Sequence, residues 1–111
     1  MSSEHCLVFS TCPDAEVARR LAGMLVERRL AACVNILPSI QSVYRWQGAI
    51  ETAEECLMLI KATRSSYPGL EAALREHHPY ELPEIVMVQM DQALPEYLQW
   101  ITQCLSSSTS S

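Results

Sequence analysis

Apolar positions change their spacing several times along the chain, and each change marks a structural element. The run Cys6-Leu7-Val8-Phe9-Ser10 is short and apolar, with β-favouring Val and Phe, and predicts a buried strand. The next spacing is helical. Val17, Leu21, Met24 and Leu25 fall on one side, with Arg19, Arg20, Glu27 and Arg28 mostly on the other. Thr11 can cap this helix, Asp14 follows as the acid of a first turn, and Pro13 is tolerated there. A helix is expected from about Pro13 to Leu30.

Extended character returns near Ala32, breaks at Pro38 and resumes in Gln41–Trp46. Gln47-Gly48 predicts a two-residue hairpin turn, because Gly supplies a positive φ without cost. On the return arm Cys56, Met58, Ile60 and Ala62 share one face, and Leu57, Leu59 and Lys61 the other. Both faces are mostly apolar, so this strand is expected to be covered on both sides. A second helix starts at Ser65 or Ser66, with Pro68 in its first turn and a stripe of Leu70, Ala73, Leu74 and His77. Pro79 pushes His78 out of the α region and ends it. Glu84–Met90 reads as the last strand, and the segment ending at Leu105 as a short helix with Leu98, Ile101 and Leu105 on one side.

The order β-α-β-β-α-β with a terminal helix predicts an α+β, ferredoxin-like domain over residues 1–105. The serine-rich end, 106–111, is low in complexity and expected to be disordered. The central hairpin stands out. Its arms of roughly fifteen residues exceed the usual five or six. They would overshoot the covering helices and bare unpaired strand. The remedy expected is self-association, although the pattern does not set the copy number.

Composition narrows the function classes. With 111 residues and a net charge of −5, the chain has no basic cluster beyond Arg28-Arg29, so nucleic acid is not an expected partner. It has no run of eighteen apolar residues, and a membrane partner is not expected either. The start, MSSEHCLVFSTCPD, lacks a basic n-region, and the cytoplasm is the expected location. Five cysteines without a CxxC read mainly as small buried thiols. The three glycines are scattered and form no phosphate loop, and no HExxH, GxSxG or deaminase-type motif occurs. An enzyme is not expected.

Several segments, in order, carry a family resemblance: TCPD, ERRLAACVNILP, YRWQGAIE, LIKAT, HHPYELPEI and YLQW. Together they resemble the CutA family of divalent-cation-tolerance proteins. The resemblance implies a ferredoxin-like subunit, a PII-like homotrimer joined by sheet contacts, and a link to copper (Cu2+ or Cu+) or another divalent metal ion. It also implies a metal site on the histidine pair, His77 and His78, and on a cysteine at the end of the first strand. That cysteine position is Ser10 here, and serine is a poor Cu(I) ligand. Cys12 is the nearby substitute and Glu84 an added oxygen donor.

The residues leave the histidines open between two readings. Neighbours on a regular helix point about 100° apart and do not chelate together, but a break at Pro79 frees the second ring. Alternatively His77 joins the apolar stripe and the pair simply closes the helix, favourably placed for the dipole. Tyr44, Trp46, Lys61 and Tyr80 are candidates for an intersubunit cleft, or for interface packing. Asn35 reads as a buried polar group with a backbone partner. An alternative function follows: a signalling or scaffold trimer binding a small molecule or protein at its clefts.

Overall fold

The computed structural model describes residues 4–106, so all but Ser106 of the serine-rich end lies outside the described residues. Strand alternation builds the frame. In β1 (His5–Cys12), Cys6, Val8, Ser10 and Cys12 are buried on one face. β1 pairs antiparallel with β3 (Ala49–Thr63) on one side and β4 (Val86–Gln89) on the other. β2 (Cys33–Trp46) pairs with β3, giving the order β2-β3-β1-β4. This is the ferredoxin-like α+β arrangement expected from the element order.

Two helices cover the inner face. α1 (Ala15–Glu27) contributes Ala18, Leu21 and Leu25, and α2 (Tyr67–His77) contributes Leu70, Ala73 and Leu74. They pack against Val8, Met58 and Ile60 of the sheet. Each large aliphatic side chain buried there contributes about 1.5–3 kcal/mol. α1 is shorter than expected and its cap is Asp14, not Thr11. The Asp14 carboxylate accepts from Val17 N–H at 2.9 Å, while Thr11 and Cys12 remain in the strand. At the other end Arg29 takes φ 57°, Arg29 N–H bonds Val26 O, and Leu30 N–H bonds Leu25 O. That is a Schellman ending with arginine at the glycine position. Arg29 Nη1 also donates to Cys104 O at 3.0 Å, tying α1 to α3 (Pro95–Leu105).

α3 lies on the second face of the sheet. It packs on β3, buries Ile101 completely, and its Thr102 hydroxyl meets His5 Nε2 at 2.8 Å. Cover reaches only one end of that face. Leu57, Leu59 and Lys61 are half-buried, which is less than the full two-sided cover expected of β3. Asn35 is exposed rather than buried, and Lys61 Nζ donates to its side-chain oxygen.

The hairpin is as long as its pattern implied. Pro38 does not end β2. The register shifts between Leu37 and Ile40, with Ser39 at φ 61°, so the strand absorbs the proline in a bulge. The turn has φ 51° at Gln47 and 83° at Gly48, the sign pattern of a type I′ turn. The hairpin carries the subunit to 50 × 28 × 22 Å and exposes Val43 (68%), Ile50 (63%) and Trp46 (47%).

Candidate functional site

The segment after α2 is drawn back onto the sheet. His78 has φ −76° and ψ 138°, so Pro79 does stop the helix there. The extended backbone swings the His78 ring inward, where its Nε2 lies 2.8 Å from Thr11 O. Tyr80 N–H donates to His78 Nδ1 at 3.1 Å. Since Nδ1 accepts, Nε2 carries the proton and donates to the carbonyl. His78 is therefore neutral, buried and bonded at both nitrogens. Burial is the largest influence on its pKa and lowers it, helped by Arg20; the bond to Thr11 and the Glu55 charge pull the other way.

Tyr80 is held at two points. Its ring lies 4.8 Å from the His78 ring, and its hydroxyl donates to Glu55 Oε2 at 2.6 Å. Burial first, then the Glu55 bond and charge, pushes the phenol far above its usual range. Glu55 itself is only 9% exposed. Beside this pair lies a cavity of about 780 Å³ whose walls include Tyr44, Trp46, Glu55, Tyr80 and Glu84. The cavity sits between the projecting hairpin and the His77–Ile85 segment, where sheet ends and bulges commonly carry function.

Three of the four cleft residues named from sequence, Tyr44, Trp46 and Tyr80, line this cavity. Lys61 does not; it stands about 20 Å further along β3 and pairs with Asn35. Thr11, Glu55 and Glu81 also line the cavity and were missed. Nothing in the local sequence marks Glu55, because its partner is 25 positions away.

The proposed metal ligands behave differently. His77, not His78, is the half-exposed ring, with Nε2 3.9 Å from Glu76 Oε1. His77 closes the helical stripe as a half-buried ring at the last position of α2, and His78, just beyond the helix, takes the buried position. Cys12 is fully buried, and its Sγ lies 3.8 Å from Asp14 O. Burial, then the nearby Cys56, Asp14 and Glu55, pushes its thiol up to about 11, away from the thiolate a metal prefers. Glu84 is exposed on the cavity wall. Among the described residues, no group of three or more His, Cys, Asp or Glu is placed to hold a metal ion. His77, His78, Cys12 and Glu84 thus do not fit a copper site within one subunit. Ser10, the residue at the family's cysteine position, is fully buried. Its hydroxyl is the one buried side-chain polar atom without a hydrogen-bond partner among the described residues.

A ferredoxin-like subunit with an extended hairpin, in which His78 and Tyr80 tie the segment after α2 to the sheet through Thr11 and Glu55, defines the class of protein. The chain belongs to the family described as CutA1 divalent ion tolerance protein, which matches residues 6–104. It is 45% identical over 103 residues to Protein CutA of Mus musculus, covering 93% of this chain and 58% of that protein's length. It is also similar to the crystal structure of CutA from Xylella fastidiosa, with TM-score 0.91 and 46% identity, covering 94% of this chain and 100% of the other. A structure described as the periplasmic divalent cation tolerance protein CutA from Archaeoglobus fulgidus matches at TM-score 0.89 and 35% identity, covering 92% and 99%.

Proposed function

We propose that the chain is the subunit of a cytoplasmic homotrimer acting in divalent-cation tolerance, with the Tyr80–Glu55 cavity as its ligand cleft. The observation that supports this is the bare apolar hairpin: Val43, Tyr44, Trp46 and Ile50 are all exposed on a single subunit. Edge strand β4 likewise exposes Val86 and Val88. Such surface favours pairing with further copies, and the family resemblance supplies the number three. Neighbours that cover the hairpin would close the cleft. Its walls of Tyr, Trp and carboxylates suit a small ligand or a segment of a protein partner. The relatives' names support the tolerance role. Five free cysteines support a reducing compartment.

A second reading, direct binding of copper or another divalent ion, is favoured by His77. Its ring is not bonded to the backbone segment as His78 is, and it stands beside Glu76. A site there needs donors from a neighbouring subunit, and imidazole with carboxylate suits Cu(II) or Zn(II).

A thermal-shift screen of divalent metals and small organic ligands separates the readings, because a ligand preferring the folded state raises the midpoint. The cleft reading expects an increase that Trp46→Ala abolishes and His77→Ala keeps. An increase with metals alone, lost in His77→Ala, replaces it with the second reading.

A further inference from the structure

Five cysteines occur in the chain, and all are free. Only one pair faces across the sheet. Cys12 of β1 stands directly opposite Cys56 of β3. Cys6 stands opposite Ala62 and Gln89, Cys33 opposite Lys61, and Cys104 lies on α3. Cys12 and Cys56 both point to the helix-covered face, for each follows its strand's buried alternation: Val8, Ser10 and Cys12 on one, Cys56, Met58 and Ile60 on the other. Directly opposed residues of antiparallel strands have Cα atoms about 4.5–5.5 Å apart. A disulfide accepts about 4.4–6.8 Å.

The residues next to this pair are the two anchors of the 78–80 segment. Thr11, before Cys12, accepts the His78 bond through its carbonyl. Glu55, before Cys56, accepts the Tyr80 hydroxyl. Any link between the two cysteines therefore ties together the two points from which the cleft wall hangs. We infer that Cys12 and Cys56 form a redox modification site, a cross-strand dithiol that closes to a disulfide and stiffens the anchorage of His78 and Tyr80.

The oxidant is a low-molecular-weight disulfide. One protein thiolate attacks it and displaces one small thiol; the second protein thiolate then displaces the other. Two protein S–H bonds are lost, one protein S–S bond forms, and the two electrons and two protons leave as two small thiols. Burial keeps the Cys12 thiol protonated near neutrality, so closure is slow at pH 7 and faster in alkali. This site rests on β1–β3 register alone and stands whether or not the cleft binds a ligand.

The test equilibrates folded protein in glutathione redox buffers at alkaline pH, blocks remaining thiols, and maps peptides without reduction. The expected result is a linked pair of peptides carrying Cys12 and Cys56, lighter by two hydrogen atoms. It should be absent in Cys12→Ser and Cys56→Ser and retained in Cys33→Ser/Cys104→Ser. Full alkylation of both thiols in the most oxidising buffer, or glutathione adducts in place of the link, overturns the inference. The linked protein should also exchange the Tyr80 amide hydrogen more slowly than the dithiol form. A link without that slowing overturns the proposed stiffening.

Discussion

His78 Nε2 donates to the Thr11 carbonyl at 2.8 Å, across 67 positions of sequence, and fixes the start of the cleft wall to the end of the first strand. The same ring accepts from Tyr80 N–H, so one side chain satisfies two backbone groups. His78→Ala leaves both without this partner and opens space in a buried place. Chemical unfolding at fixed protein concentration should show a loss of about 2–3 kcal/mol. His77→Ala, on a half-exposed ring, should lie within about 0.5 kcal/mol of wild type.

Protonation should act on the same contact. Burial sets the His78 pKa below its ordinary value. Unfolded imidazole titrates near about 6.5, so just below that pH the unfolded chain holds more protons than the folded one. The stability owed to neutral His78 is complete above about pH 6.5 and is lost as pH falls through the lower folded value. Unfolding curves across this range should show the loss in wild type, and His78→Gln should lack that component. An identical pH dependence in the variant would contradict the assignment.

Tyr80→Phe isolates the hydroxyl. It removes the 2.6 Å bond to a carboxylate that is only 9% exposed. A loss of about 1–3 kcal/mol is expected, because the buried acceptor keeps its desolvation cost without its donor. Glu55→Gln retains an acceptor at the same place and should cost less. Unfolding midpoints of the two variants, compared under one condition, check the order.

Ser10 offers the opposite sign. Its buried hydroxyl has no hydrogen-bond partner among the described residues. Ser10→Ala removes an unsatisfied polar group and should be neutral or stabilising by up to about 1 kcal/mol. A loss of more than about 1 kcal/mol in calorimetry would show that the hydroxyl does have a partner.

Two glycines should respond in opposite ways to alanine. Gly48 has φ 83°, and nothing lies within 4 Å of an added Cβ, so Gly48→Ala costs backbone strain of about 1 kcal/mol. Gly23 sits inside α1 with equally open space, and Gly23→Ala should stabilise by about 0.5–1 kcal/mol. Paired unfolding measurements decide both signs.

Local pattern carried much of this architecture and little of the site. Alternation from Cys56 to Ala62 places the buried face of β3 correctly, because a side chain in a strand has only two directions. Pro79 marks the end of α2 for an equally local reason. The helical stripe meets the sheet through Leu70, Ala73 and Leu74, and His77, the last residue of α2, continues it only as a half-buried ring. That His78 is the ring turned inward is not legible from spacing, because it lies just beyond the helix and is aimed by its extended backbone. The bulge at Ser39 keeps β2 continuous through Pro38, which composition alone reads as a break. Glu55 escaped notice because its significance comes from Tyr80, a residue that only the finished sheet brings near.

Assembly is the central claim, and sedimentation equilibrium of the wild-type chain at micromolar concentration tests it most directly. The 12.5 kDa chain should sediment at about three times its own mass, and Val43→Glu or Ile50→Glu on the exposed hairpin should weaken that association. A wild-type species of one chain mass across the concentration range would contradict it, for the bare hairpin would then have no neighbour to cover it.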